Sequence, residues 1–337
     1  MEIYFDTQKL RKVTQKVMLA LLSISPLTGF YVHGQTFPSK PITIVSPFAA
    51  GGTSDVVARA LARVLEQDMG QPVVVVNRAG AGGTIGIGSV TTAPADGYTL
   101  VMGGLGSIVF PTVVYQGKIK YDASKDLISL GAVGYAPTVI AMHSSFPANG
   151  LKEMISTAKS SPNKIAFASA GIGGTLHVAG VLLEKEAGIE LNHIPYKGGA
   201  PAMTDLMSGA VDMALADLTL IKPFISSGRI RAVAIASAER SPMLPDVPTT
   251  TELGLPKVKL DTWYALFTPA GTPPSVIAKL RSAIEKIKAN PTFSATLSSQ
   301  GLVAMKGSSD AFEEQLKKDF ETWPPLLSRI CAQNACN

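Results

Sequence analysis

The residues best suited to chemistry sit in glycine-rich segments that follow short apolar runs. One is Phe48-Ala49-Ala-Gly51-Gly52-Thr53-Ser54-Asp55, after Ile42 to Ser46. Another is Ser169-Ala170-Gly171-Ile-Gly173-Gly174-Thr175, after Ile165 to Ala168. Asn77 to Gly86 and Tyr196 to Pro201 are two more. Each leads into a helical pattern, so each sets backbone N–H groups at a helix start. Those donors lack intrahelical partners and, with the helix dipole, attract anions. The hydroxyls of Ser46, Thr53, Ser54, Ser107, Ser169 and Thr175 add neutral donors. Each of them also has a plainer reading as a helix cap. The set suits a carboxylate held without metal.

Other ligands fit less well. The 49–55 loop has no lysine followed by Ser or Thr, so it is not a Walker loop. The 77–86 segment gives a loose Gly-x-Gly-Gly-x-x-Gly. Asp96 lies in the Pro94–Gly97 turn rather than at a strand end, so the dinucleotide fingerprint is incomplete. Dense Lys/Arg for a phosphate is absent, and no cofactor is expected.

Catalysis also finds few candidates. No Gly-x-Ser-x-Gly occurs. His177 falls in the first turn of an apolar helix, a place for a packed histidine more than a base. His143, His177 and His193 show no metal-ligand spacing. Asp217 closes an apolar strand, where it either faces a cleft or caps a turn. Cys331 and Cys336 lie in the last seven residues, so the body holds no cysteine nucleophile. In an oxidising compartment they could close a small disulfide; two free thiols on a frayed tail are the alternative.

The elements that position these segments read as strand, turn and helix in repetition. Val57, Leu61, Val64 and Leu65 mark one helical face, ended by Gly70. Val73 to Val76 is the next buried strand, and Tyr98 to Met102 another. Residues 131–142 read as one strand. The Thr175–Ala187 stretch is an apolar helix. Two helices, near Ser275–Lys288 and Asp310–Trp323, are expected to finish the chain. The pattern implies α/β architecture with largely parallel sheets.

The chain has 337 residues, 46% of them hydrophobic and 16% charged. That is enough for two lobes and excludes a disordered or disulfide-dense chain. Expected boundaries are a signal over 1–34, lobe 1 over 35–138, lobe 2 over 139–257, a return to lobe 1 over 258–330, and a tail over 331–337. The signal rests on Lys9, Arg11, Lys12 and Lys16, then the apolar run Val17 to Phe30. Cleavage is expected after Gly34; an uncleaved anchor is the other reading. Losing residues 1–34 removes those four basic residues with Glu2 and Asp6, and the formal net charge falls from +5 to +3. The remaining basic residues are scattered, which argues against nucleic acid.

Several motifs in fixed order resemble the Bug family, the extracytoplasmic substrate-binding proteins of tripartite tricarboxylate transporters. They run from Phe37-Pro-Ser-Lys-Pro-Ile-Thr-Ile-Val-Ser-Pro-Phe48 and Gly51-Gly-Thr-Ser-Asp55 to Gly70-Gln-Pro-Val-Val-Val-Val-Asn-Arg-Ala-Gly-Ala-Gly-Gly83. Ala95-Asp-Gly-Tyr-Thr-Leu100, Ser169-Ala-Gly171, His193-Ile-Pro-Tyr-Lys-Gly-Gly199, Leu244-Pro-Asp-Val-Pro-Thr249 and Pro269-Ala-Gly-Thr-Pro-Pro274 follow. The resemblance covers Phe37 to Trp323.

The resemblance implies a periplasmic-binding-protein fold, with two lobes around a ligand cleft. It implies capture of a small organic carboxylate for a membrane permease, without catalysis. The ligand carboxylate would lie between Phe48–Asp55 and Ser169–Thr175, with Tyr196 and Asp217 completing the cleft. A periplasmic monomer is expected. Phe48, Tyr135 and Tyr196 are the aromatic candidates for the cleft, with a place in the core as the alternative for each. Many relatives carry proline at Ala50, glycine at Thr53 and a polar residue at Ala216. Asp217, if it points inward, would favour an amine or hydroxyl over a second carboxylate. Presentation of ligand to a sensor kinase and an extracytoplasmic hydrolase are the rival functions.

Overall fold

The structure is a computed structural model that describes residues 36–225 and 227–331. The expected signal over 1–34 and Cys336 lie outside the described residues; Cys331 is disulfide-bonded.

Two mixed sheets form two lobes. The first contains β1 (Ile42–Ser46), β2 (Val73–Asn77), β3 (Thr99–Gly104), β4 (Leu127–Ala136) and, later in the chain, β10 (Thr262–Pro269) and β11 (Val303–Ala304). Their order is β11-β4-β10-β3-β1-β2. The second contains β5 (Thr138–His143), β6 (Ala166–Ser169), β7 (Asn192–Pro195), β8 (Met213–Asp217) and β9 (Ile230–Ile235), ordered β7-β6-β8-β5-β9. Each sheet holds a parallel trio built by strand-helix-strand units. These are β2, β1 and β3 in the first, and β7, β6 and β8 in the second. The strands carrying the chain between lobes pair antiparallel: β4 with β10, and β5 with both β8 and β9.

The crossing corrects one expectation. Residues 131–142 do not form a single strand. Pro137 divides them, leaving β4 in the first sheet and β5 in the second. Pro137 has no N–H for a ladder, and its carbonyl accepts from Leu218 N–H at 2.9 Å. The C-terminal region differs too. Three helices, not two, close the described residues: Pro274–Lys288, Pro291–Ser299 and Ser309–Cys331. The middle one starts by a standard device, with the Asn290 side chain accepting from Thr292 N–H at 2.9 Å and proline at the first position.

Helix Thr53–Met69 shows how the pattern works. Its Val57, Leu61 and Leu65 are fully buried against Ile42, Ile44, Leu100 and Leu266. It ends at Gly70, whose φ of 66° lets its N–H reach Glu66 O at 2.9 Å. Leu61→Ala is therefore expected to lower unfolding stability by about 2–5 kcal/mol, because a fully buried side chain leaves a cavity. Urea unfolding followed by circular dichroism checks this; a change within about 0.5 kcal/mol would contradict that packing.

Candidate functional site

Both strand-to-helix turns start their helices through glycine. Gly52 precedes Thr53–Met69, and Gly174 precedes Thr175–Ala187. Neither start has a side-chain cap, so the expectation that Thr53 or Ser54 caps the first helix is corrected. Ser54 Oγ instead donates to Met102 O at 3.2 Å. The first backbone N–H groups of both helices keep no intrahelical acceptor.

The two starts face one cavity in the seam between the lobes. Phe48, Gly52, Thr53 and Ser54 line it from one side, and Ala170, Gly174, Thr175 and Asp217 from the other. Its volume is ≈ 40 Å³, tight even for a small acid. Several bonds hold the lobes closed. Ala49 N–H donates to Lys197 O at 3.3 Å, and Tyr115 Oη to Ile172 O at 3.1 Å. Tyr264 Oη on β10 donates to Asp217 Oδ2 on β8 at 2.5 Å.

Asp217 points inward, as its cleft-facing reading requires. It is 2% exposed, and Oδ1 has no hydrogen-bond partner. Burial pushes its pKa up to about 6; Tyr264 and the nearby Thr53 and Thr262 hydroxyls pull it partly back. Neither threonine hydroxyl makes a hydrogen bond of ordinary geometry. Burial, with the carboxylate beside it, drives the Tyr264 pKa far up, so that hydroxyl stays a donor.

The remaining expected residues build the loops and do not line the cavity. Asp55 accepts from Gly51 N–H at 3.0 Å, Asn77 Nδ2 at 2.9 Å and Arg59 at 2.9 Å. Burial alone would raise its pKa, but these bonds outweigh it and hold the carboxyl below the usual range. Tyr196 Oη donates to Asp205 Oδ2 at 2.5 Å, tying its turn to helix Gly199–Ser208. Tyr135 lies on β4, opposite Trp263 and Val303. Ser169 Oγ accepts from Gly171 N–H at 3.2 Å and meets His193 Nε2 at 2.7 Å.

Beneath the second loop lie two stacked histidines. His177 and His193 rings are 4.0 Å apart at 13°. His177 Nδ1 accepts from Gly173 N–H at 3.0 Å and must therefore be unprotonated. Burial lowers the His177 pKa to about 4; burial, then His177, lowers His193 to about 3. Their role is to hold a loop in shape.

Thr262, Tyr264, Gly104, Gly106, Gly199, Leu176 and Leu220 also line the cavity and were absent from the expected site. Ser107, expected as a donor, lines it as well, but its Oγ bonds Gly104 N–H at 3.0 Å. The alternation of Thr262, Tyr264 and Leu266 along one strand was the available signal. Among the described residues, no three His, Cys, Asp or Glu side chains gather as a metal site. No described helix is long and apolar enough to cross a membrane.

Residues 57–331 match the family described as "Tripartite tricarboxylate transporter family receptor" (TctC). The chain is similar to Protein BugT of Bordetella pertussis, 34% identical over 302 residues, covering 90% of this chain and 93% of BugT. It is similar to the solved structure of R. palustris Rpa4515 with adipate, with TM-score 0.84 and 29% identity, covering 88% and 98% of the two chains. It is also similar to MatC from Rhodopseudomonas palustris with bound malate, with TM-score 0.81 and 30% identity, covering 86% and 99%.

The histidine pair carries a pH signature. Histidine in the unfolded chain titrates near 6.5, above the native values of about 4 and about 3. Between those limits the unfolded chain binds more protons, so stability contributed by the pair falls as pH drops from about 6.5 to about 3. Asp217, with its raised pKa, acts in the opposite sense, losing stability as pH rises from 3.8 to about 6. The pair is isolated by comparing variants. His177→Asn can still accept from Gly173 but does not titrate. Its Tm should fall less than that of the native protein between pH 6.5 and 4; parallel Tm curves would refute neutral, buried histidines.

Proposed function

Since the chain belongs to the tripartite tricarboxylate transporter receptor family, TctC, with Bug relatives, we propose that it is a periplasmic receptor delivering a small carboxylate to a tripartite permease. One observation carries this reading: two helix starts, from different lobes, face one cavity that, among the described residues, no Lys, Arg or His lines. Backbone N–H groups there can share one anionic group, which is what adipate and malate offer in the related structures. Family membership makes it a binding receptor and not an enzyme.

The mechanism is closure. An open receptor exposes both helix starts. A carboxylate that bonds to both lobes favours the closed state by its contacts with each. The permease would then recognise the closed surface. The apolar run after the basic N-terminal residues supports export and cleavage, and the exported chain is expected to begin near residue 35, which mass spectrometry can read.

Gly106 makes closure testable. A Cβ at this position would lie 2.3 Å from Thr175 N and 2.6 Å from Thr175 Oγ1, across the seam. Gly106→Ala should therefore fold but close poorly. Calorimetry should show carboxylate affinity reduced at least ~10-fold, about 1.4 kcal/mol. X-ray scattering should show ligand no longer shrinking the particle. Wild-type affinity in Gly106→Ala would sink the closure mechanism. Thermal shifts with sugars or phosphate, and none with mono-, di- or tricarboxylates, would sink the function itself.

A further inference from the structure

Three buried oxygens line the cavity without a hydrogen-bond partner: Asp217 Oδ1, Thr53 Oγ1 and Thr262 Oγ1. Their residues are 2%, 4% and 5% exposed. Asp217 Oδ2 is already taken by the Tyr264 hydroxyl, so Oδ1 is the free end of the carboxylate. No cationic side chain is among the described residues that line the cavity, and the Asp261 carboxylate is near enough to interact with that of Asp217. A buried carboxylate without a cation or a full set of donors is costly. Ser107 and Ser54, by contrast, have their hydroxyls bonded within the protein.

We propose that the cavity selects a carboxylate that also carries a primary ammonium, bound by Asp217 Oδ1, Thr53 Oγ1 and Thr262 Oγ1. This rests on the reading that the helix starts take the ligand's carboxylate. An ammonium brings three N–H donors and a positive charge. The Asp217 carboxylate has no cationic side chain among the described cavity residues, and the two nearby threonine hydroxyls can each accept from an ammonium while keeping their own proton to donate. A ligand hydroxyl would bring one donor and no charge. A second carboxylate would bring no donor and would repel Asp217. Thr53 and Thr262 belong to the first lobe and Asp217 to the second. The ammonium would thus bridge the seam as the carboxylate does, and both ligand ends would favour closure. The small cavity limits the spacer between them.

The experiment is calorimetry on the full chain with end-matched series. One series runs from β-alanine to 6-aminohexanoate, alongside glycine and larger α-amino acids. The others are hydroxy acids, unsubstituted acids and dicarboxylates of equal length. The best amine should bind at least ~10-fold more tightly than each of its counterparts. Asp217→Asn should weaken that amine by at least ~30-fold, as expected for truncating one partner of a buried charge pair. It should leave hydroxy acids and dicarboxylates unchanged or tighter. Thr262→Val removes only an unpaired hydroxyl and should weaken the amine about 3- to 10-fold. Should Asp217→Asn fail to fold, Thr262→Val decides, and an unchanged amine preference overturns the proposal. Carboxylate binding with no amine preference, or amine affinity untouched by Asp217→Asn, overturns this inference alone. Absence of any carboxylate binding overturns the receptor reading with it.

Discussion

The hydrogen bond from Tyr264 to Asp217 joins the two sheets in a buried seam beside the cavity. Tyr264 stands on β10, between β3 and β4. Asp217 ends β8, between β6 and β5. Both residues are buried, so their bond forms in a low-dielectric seam where it is strengthened and where any missing partner is costly. The carboxylate satisfies one oxygen within the protein and leaves the other toward the cavity. That asymmetry underlies the proposed division of the seam, with backbone N–H groups at the helix starts and oxygens around Asp217.

The loops around this seam divide their work. Charged and polar side chains shape them, and backbone N–H groups are left free to bind. Asp55 spends its carboxylate on Gly51, Asn77 and Arg59. His177 spends Nδ1 on Gly173, and Ser169 its hydroxyl on Gly171 and His193. These contacts order the loops before any ligand arrives, which lowers the entropic cost of binding. Glycine serves a second purpose where the lobes meet. At Gly106 the backbone of one lobe approaches the helix start of the other more closely than any Cβ permits.

The topology explains how such a seam can open. Among the described residues, the segment at Pro137 and the stretch between β9 and β10 carry the main chain between sheets, and the last helix packs on the first lobe while its end reaches Val181 of the second through Leu326 and Cys331. The antiparallel strands β4, β5, β9 and β10 flank these crossings. The proposed closure would bend the chain there and leave the parallel trios, which are held in register by their ladders, as they are.

Much of this was legible in the residues alone. Apolar runs followed by glycine and hydroxyl residues specify strands that turn into helices, because the pattern is local and periodic. The expectation that the helix starts offer N–H groups to an anion came from the same local rule, and the ordered motifs carried the family. Local pattern could not divide residues 131–142 at Pro137, since an apolar run reads alike in either sheet. Nor could it separate hydroxyls that face the cavity from those that bond inward, such as Ser54 and Ser107, or keep Asp55 and Tyr196 out of the lining. Thr262 and Tyr264 join Asp217 only because β10 returns from the far end of the chain to the centre of the first sheet. Whether a buried oxygen has a partner depends on atoms distant in sequence. The sequence by itself determined where strands turn into helices, because that pattern is local; only the tertiary structure decided which polar atoms the fold leaves unsatisfied, because their partners are distant in sequence.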